Sequence, residues 1–451
     1  MIQLAFRNFI RSRSVMAGLL LLLVAGIISL FIGRQFVERQ QQHIADVTAW
    51  QQEHIDHNVK YFDKETGLLL YYLRFTLANP THPLNGLSIG QRDVNPSVKS
   101  LTIRNLEAQQ YDTEMYNPTN LLLGNLDLSF VLIYLFPLVI IGLTYNTLSG
   151  EKENGTWPLL SLQSGKPGKL ILQLFALRGA VILGVFVVLM MAAVWILALP
   201  ISSGLWAFVL VGGLYLFFWL AVSGWVVSWQ RSSPVNAISL LAIWVILTMV
   251  APAVINNFLI NKYPTPEALN TAVEQRKGYH EKWDVEKSVT MARFYKHYPQ
   301  FAHYGQPGEA FNWLWYYAMQ QMGDDDAQQA SAQLKEKLHQ REKAGAWISW
   351  FVPTLHTQWQ MNDLAHSGLG NHLQYQDSAA RFHEQHRLFF YPKIFSNTPV
   401  KEIDWHSFRV ARFSGPKDIS WLRLLLPLVM SAILLSLLSL FNGRNQFVQS
   451  N

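Results

Sequence analysis

Six stretches of the chain consist almost entirely of apolar residues. They cover Val15–Gly33, Leu126–Tyr145, Gly179–Leu199, Leu205–Val227, Val235–Ile260 and Leu422–Phe441. A helix of about 20 residues crosses the ~30 Å hydrocarbon core of a bilayer. Ionisable residues such as Asp127 and Arg423 lie only at the edges of these stretches, because a charge inside lipid costs several kcal/mol. The pattern predicts six transmembrane helices, over residues 15–33, 126–145, 179–199, 205–227, 235–260 and 421–441.

Two long polar segments separate these runs, residues 34–125 and 261–420. We expect both to project from the outer face and to pack together as one extracytoplasmic domain. In the first segment, Phe36–Asn58 is predicted to continue the first membrane helix, and residues 84–104 are predicted to form a short strand or hairpin. The predicted fold class is predominantly α, with six transmembrane helices and a mainly helical outer domain containing minor β structure.

The second polar segment has two further helical patterns. Pro266–Tyr298 opens with Pro-Glu and has few helix breakers, and Ala327–Ala344 is polar throughout. Asp324, Asp325 and Asp326 precede the latter, where negative charge favours a helix N-terminus. Binding of a divalent cation by these aspartates is the alternative.

Composition supports the assignment to a membrane. Hydrophobic residues make up 50% of the chain and charged residues only 15%, which is too apolar for an ordinary soluble protein. The first run lacks a small-x-small cleavage site, so we expect an uncleaved segment. The chain has no cysteine, which excludes disulfides, thiolate metal sites and cysteine nucleophiles.

Basic residues determine the predicted orientation. The termini and short loops assigned to the inside contain nine Lys or Arg residues but only two Glu residues. This positive-inside pattern places both termini in the cytoplasm of a bacterial cell with the chain in its inner membrane. It assigns residues 146–178 to a cytoplasmic loop, residues 442–451 to a cytoplasmic tail and the large domain to the periplasm. The basic charge therefore reflects orientation, and we expect no nucleic-acid partner.

The N-terminal residues 1–14 are amphipathic. Apolar residues recur at helical spacing on one face while arginines occupy another, as in a helix that lies flat on the membrane surface. The residues predicted for this interfacial helix are Phe6, Arg7, Phe9, Ile10, Arg11 and Arg13. The alternative is a basic flank that only sets orientation.

The connection between the second and third runs is unusual. A membrane helix ends, a turn with Gly150 and Gly155 around acidic residues reverses the chain, and a short apolar helix follows at Trp157–Leu162. Thr156 is predicted as its N-cap and Pro158 suits its first turn. The helix is too short to span a bilayer and presents an apolar surface for a partner protein.

At this point the chain resembles the ABC-2-type permeases. The pattern Glu-x3-Gly-Thr-x2-Leu-Leu of that family is matched by Glu151, Gly155, Thr156, Leu159 and Leu160. The segments Ile348–Leu355 and Phe382–Arg387 resemble a subgroup with an extracytoplasmic domain of unknown function between spans five and six. This sequence departs from that subgroup at Leu364-Ala-His-Ser, where members usually have a Gly-Thr-Asp-like turn.

The resemblance implies a permease subunit with a coupling helix that docks into an ATPase. The implied coupling residues are Glu151, Glu153, Gly155, Thr156, Trp157, Leu159 and Leu160. The chain has no P-loop, so this chain is expected not to be an enzyme and to bind no cofactor itself. ATP and Mg²⁺ are expected in two copies of a separate ABC ATPase subunit, and a second permease subunit, identical or related, completes a dimer.

The resemblance leaves open export of a substrate or mechanical work on the outer domain, which also offers a surface to a periplasmic partner. A membrane-anchored sensor or assembly scaffold that binds a ligand outside is the alternative function. Two His-x-x-His pairs, His54/His57 and His383/His386, have the spacing of a helical metal chelate, but we favour their interpretation as part of a polar outer surface. We predict no metal site from them, and no catalytic residues.

Overall fold

The protein is mostly helical and carries six long apolar helices. The structure, a computed structural model, describes residues 7, 9–110, 125–164, 167–265, 281–415 and 418–448. About 76% of the chain is helical, and within the described ranges six helices are long and apolar enough to cross a membrane. Each of the six predicted runs lies on one of these helices, except for Leu126–Asp127 and Leu197–Leu199 at the ends of two runs, which supports a membrane protein.

The six apolar helices are longer than the apolar runs. They are α1 (Arg13–Tyr61), α4 (Leu128–Glu153), α6 (Pro167–Ile196), α7 (Ser203–Val227), α8 (Ser233–Lys262) and α13 (Trp421–Val448). Helix α4 and helix α8 each contain a π-helical turn, at Val131–Leu135 and Ile246–Val250. Helix α6 begins at Pro167, within the predicted loop 146–178, and proline suits the first turn of a helix. The prediction placed the start of this helix later because it followed hydropathy, and the first turns of α6 contain polar residues.

The two polar segments form one helical domain with a small sheet, called here the distal domain. Its helices are α2 (Thr66–Tyr72), α3 (Leu106–Gln110), α9 (Lys287–His297), α10 (Trp313–Ser349), α11 (Pro353–Leu364) and α12 (Leu369–Phe395). Short 3-10 turns lie at Pro83–Gly86, Pro299–Tyr304, Val400–Glu402 and Trp405–Ser407. Of the pattern predicted over Pro266–Tyr298, residues 266–280 lie outside the described ranges.

The sheet joins both polar segments. Its strands are β1 (Phe75–Ala78), β2 (Val98–Leu101) and β3 (Ala411–Arg412), in the order β2-β1-β3. The pair β1–β2 is antiparallel and β1–β3 is parallel. Strand β2 lies in the region where a strand was predicted. The central strand β1 is buried along its whole length.

Helix α1 connects the apolar bundle to the distal domain without a break. At 1.5 Å per residue, its 49 residues measure roughly 74 Å, more than twice the ~30 Å core of a bilayer. The structure thus contains the continuation predicted over Phe36–Asn58. Halfway along, Gly33 packs against Gly86, and a Cβ on Gly33 would lie 1.9 Å from the Gly86 carbonyl oxygen. Only glycine permits this close approach of the two backbones.

The core of the apolar bundle is built around α7. Phe208, Tyr215, Leu216 and Trp219 on this helix are fully buried, and α7 packs along α13 and against α4 and α6. Helix α8 lies at the edge of the bundle. Only 11% of its most apolar window is buried, the smallest share among the six helices.

Helix α11 is polar, yet it lies among the apolar helices. The Tyr215 hydroxyl, midway along α7, lies 3.4 Å from Thr354 Oγ1 at the start of α11. Two residues later His356 is fully buried, with Nε2 3.1 Å from the Leu424 carbonyl oxygen of α13. The corner between α10 and α11 therefore enters the bundle, and an apolarity pattern does not reveal this because the helix itself is polar.

The prediction that three aspartates begin a helix is wrong. Asp324, Asp325 and Asp326 lie inside α10, which starts at Trp313. Each carboxylate instead has a cationic or histidine neighbour. Asp324 pairs with Arg387 at 2.6 Å, Asp325 with His297 at 2.9 Å, and Asp326 with Lys282 at 3.2 Å. The helix continues because these carboxylates, which could otherwise disrupt it, are bound by other elements.

Candidate functional site

One end of the bundle carries a hairpin between α4 and α6. Helix α4 ends at Glu153, and α5 (Trp157–Ser164) follows after three residues. Gly155 within the turn has φ +68°, a left-handed conformation that glycine adopts with little cost. No atom of the described residues lies within 4 Å of a Cβ built on Gly155, so the requirement for glycine here comes from the backbone conformation rather than from a lack of space.

Thr156 connects the two arms of the turn. Its hydroxyl donates to the Glu151 carbonyl oxygen at 3.1 Å and to the Glu151 carboxylate. Its backbone N–H donates to the same carbonyl at 3.0 Å, and its own carbonyl accepts the first hydrogen bond of α5, from Leu160. Thr156 thus occupies the predicted N-cap position, and its side chain holds the turn closed through Glu151.

The short helix α5 exposes apolar side chains. Leu159 is 62% exposed and Leu162 is 82% exposed, while Trp157 and Leu160 are half-buried. An apolar helix face that the described part of the chain leaves uncovered is suited to contact with another molecule.

A second turn, residues 228–233 between α7 and α8, supports the hairpin. The Glu153 carboxylate accepts two hydrogen bonds from Ser233, from the backbone N–H and from the hydroxyl, both 2.8 Å long. Ser149 Oγ lies 2.7 Å from Ser233 Oγ, and Lys152 Nζ lies 2.6 Å from Gln230 Oε1. We call residues 149–164 together with residues 228–233 the hairpin surface.

The N-terminal segment reaches the same end of the molecule. Residues 9–11 are helical, and Ser12, with extended backbone angles, separates them from α1, which begins at Arg13. Arg178 of α6 lies over the Phe9 ring, 5.5 Å from its centroid. Ile10 is half-buried, and Arg7 and Arg11 are exposed. Phe6 lies outside the described residues, so the interfacial helix stays a prediction.

Positive charge surrounds the apolar face of α5. Within the described ranges, the exposed basic residues at this end are Arg7, Arg11, Arg13, Lys152, Lys169 and Arg231. The two carboxylates of the hairpin, on Glu151 and Glu153, are already engaged by Thr156 and Ser233. The surface therefore offers an apolar centre and cationic surroundings, which suits a partner with an apolar groove and acidic edges.

The histidine pairs have partners within the fold. His383 Nε2 lies 2.8 Å from the Arg104 carbonyl oxygen, and His386 Nδ1 lies 2.7 Å from the Phe382 carbonyl oxygen. Burial lowers the pKa of His383 well below its usual value and also lowers that of His54. Among the described residues, no group of three or more potential ligands could hold a metal ion.

The contact between Glu153 and Ser233 is a feature that the sequence does not reveal. Ser232-Ser233-Pro234 is a typical helix start, and it could have located the beginning of α8. The partner of that helix start, however, lies 80 residues earlier in the chain, and only the packing of α4 beside α8 brings the two together. The same is true of Arg178 and Phe9.

One family model matches part of the chain. Residues 268–414, roughly a third of the chain, match a family described as a domain of unknown function (DUF3526). This range covers α9 to β3 of the distal domain and none of the hairpin surface. No curated protein matches the chain. No solved structure matches it either.

Proposed function

We propose that this chain is the membrane-spanning permease subunit of an ABC transporter, powered by a separate ATPase subunit that docks on the hairpin surface. The observation that carries the proposal is the hairpin itself. A short apolar helix on a left-handed glycine turn stands exposed between two long apolar helices. Its pattern from Glu151 to Leu160 resembles that of the ABC-2-type permeases.

In this proposal the apolar helices cross the bacterial inner membrane, with the hairpin surface in the cytoplasm and the distal domain in the periplasm. The exposed basic residues around the hairpin agree with the positive-inside rule. Two ATPase copies bind two permease subunits, and the weakly buried helix α8 leaves an apolar face that a second subunit can cover. ATP and Mg²⁺ bind in the ATPase.

The continuous helix α1 favours mechanical work on the distal domain as the output. A single helix of 49 residues runs from the bundle into that domain. Helix α11 of the distal domain in turn contacts α7 and α13 of the bundle. Helix α1 contains no proline and no break over its length, so it has no kink site at which a displacement along its axis would be absorbed. A movement of the bundle would therefore reach the distal domain directly.

Co-purification tests the proposal. The tagged full-length chain is extracted from native membranes into nanodiscs, and its partners are identified by mass spectrometry. We expect a P-loop ATPase in equal stoichiometry and ATP hydrolysis by the purified complex. A chain that is purified intact but without an ATPase would support a sensor or scaffold and contradict the transporter.

A further inference from the structure

Helix α8 has the weakest packing of the six apolar helices, with 11% of its most apolar window buried. Its N-terminus is nevertheless firmly bound to the hairpin. The backbone N–H and the hydroxyl of Ser233 both donate to Glu153 at 2.8 Å. Asn236 Nδ2 adds a hydrogen bond to the Tyr145 carbonyl oxygen at 3.2 Å. Together with the fully buried side chain of Leu240, these hydrogen bonds attach the first turns of α8 to the bundle.

The chemistry of the Glu153 contact is favourable. A carboxylate that accepts from the first N–H groups of a helix satisfies donors that have no partner within the helix. Its negative charge also lies at the positive end of the helix dipole. Hydrogen bonds to an ionised acceptor are stronger than those between neutral groups. Glu153 thereby acts as the N-terminal cap of α8, although it belongs to α4.

Further along, α8 contacts the distal elements. Its π-helical turn, Ile246–Val250, packs against α11. A Cβ on Gly345 of α10 would lie 3.4 Å from Leu259 Cδ1 near the end of α8. One helix therefore reaches from the hairpin surface to both distal helices that meet at the inserted corner.

From this arrangement we propose that Glu153 is a positioning residue that makes the hairpin and α8 move as one body. Displacement of α5 by a docked partner is passed through the Glu153–Ser233 contact to α8, and from α8 to α10 and α11. The contact stays closed throughout the cycle. This inference rests on the proposed function, because it requires a partner that pushes on α5.

The absence of cysteine from the chain permits a clean test. Spin labels on Arg39→Cys of α1 and Asn261→Cys of α8, both exposed, report the position of the far end of α8. The full-length chain is studied in nanodiscs with its co-purified ATPase, with and without ADP-vanadate. We expect a nucleotide-dependent change in the label distance. Among complexes that carry bound ATPase, we expect Glu153→Ala to reduce the labelled fraction that shifts by about fivefold or more.

Glu153→Gln keeps an acceptor for the Ser233 N–H and is expected to retain most of the shift. Glu53→Ala, at an exposed glutamate of α1 outside the hairpin surface, is the matched control and is expected to behave as the unaltered chain. ATPase binding is measured separately for every variant. If the unaltered chain binds no ATPase, the proposed function fails. If the ATPase binds and Glu153→Ala shifts like the unaltered chain, only the present inference fails.

A disulfide in place of the Glu153–Ser233 contact distinguishes a loss of this contact from misfolding of the Glu153→Ala variant. The Oγ atoms of Ser149 and Ser233 are 2.7 Å apart, a separation compatible with a disulfide between Ser149→Cys and Ser233→Cys. In a chain that keeps Arg39 and Asn261, ATP hydrolysis by the complex is the readout. Glu153→Ala is expected to lower the rate of hydrolysis, and oxidation of the cysteine pair is expected to restore it. The same cysteine pair is also placed in a chain that retains Glu153. If oxidation stops ATP hydrolysis by that chain, the Glu153–Ser233 contact must open during the cycle, and the inference is overturned.

Discussion

Truncation of the exposed leucines of α5 should weaken docking much more than folding. Complete burial of a Leu side chain contributes about 2 kcal/mol. Because 62% of Leu159 and 82% of Leu162 are exposed, burial of the remaining surface by a partner would contribute roughly 1.2 and 1.6 kcal/mol. Leu159→Ala with Leu162→Ala should therefore cost about 3 kcal/mol of binding, or roughly 100-fold in Kd.

Binding of the co-purified ATPase to immobilised nanodiscs measures this Kd. Leu172→Ala is the matched control, since Leu172 is 64% exposed but lies on α6, and it should leave the Kd unchanged. The melting temperature of the double variant should stay close to that of the unaltered chain, because the fold buries little of either side chain. An unchanged Kd in the double variant would refute the assignment of α5 as the docking helix.

Three further results are expected. Gly155→Ala places a side chain at φ +68° and should cost about 1 kcal/mol, visible as reduced ATPase binding at an unchanged expression level. Arg387→Ala leaves the buried Asp324 without its cationic partner and should lower the stability of the fold by about 3–5 kcal/mol. Arg293→Ala removes one of the two cations beside the half-exposed Asp326, which keeps Lys282, and should cost less than about 1 kcal/mol. Thermal unfolding of both variants measures this difference. Burial lowers the pKa of His82 to about 4, so the folded protein binds fewer protons at this residue than the unfolded protein. The free energy of unfolding should therefore fall as the pH drops from 6.5 towards 4. In thermal unfolding at pH 7.5 and pH 5, His82→Phe should show a weaker dependence of stability on pH than the unaltered chain.

The six long helices could be predicted because their signal is local. Each apolar run is long enough for a helix to cross the hydrocarbon core of a bilayer, and its interior contains no charge. Both properties can be recognised without knowing where other segments of the chain lie. Their ends are less predictable. Helix α6 starts at Pro167 and α1 continues to Tyr61, beyond the apolar residues, because polar residues also form helices when they lie outside the apolar region.

Contacts between distant segments were beyond prediction. Asp324 is inside a helix because Arg387 neutralises it and the N–H groups of Leu106 and Glu107 donate to it at 2.9 and 3.0 Å. Without those partners, three adjacent aspartates favour a helix N-terminus. At the hairpin, the pattern from Glu151 to Leu160 located the exposed helix, whereas the role of Glu153 depends on a turn much later in the chain.

The insertion of α11 illustrates a further limit. Its residues are largely polar, so hydropathy assigns it to the distal domain alone. Its buried side chains nevertheless meet the apolar bundle, through Thr354 beside Tyr215 and His356 beside Leu424. A polar helix enters an apolar bundle only where its polar groups find partners, and such partners are visible only in three dimensions.

Cross-linking mass spectrometry of the native complex tests the central claim most directly. Lys152 and Lys169 are exposed at the hairpin end of the bundle, and an amine-reactive reagent can link them to a neighbouring protein. We predict links from these two lysines to a P-loop ATPase, and none from that ATPase to lysines of the distal domain such as Lys337 or Lys401. Links between the ATPase and the distal domain, or the absence of any ATPase linked to Lys152 and Lys169, would contradict the account.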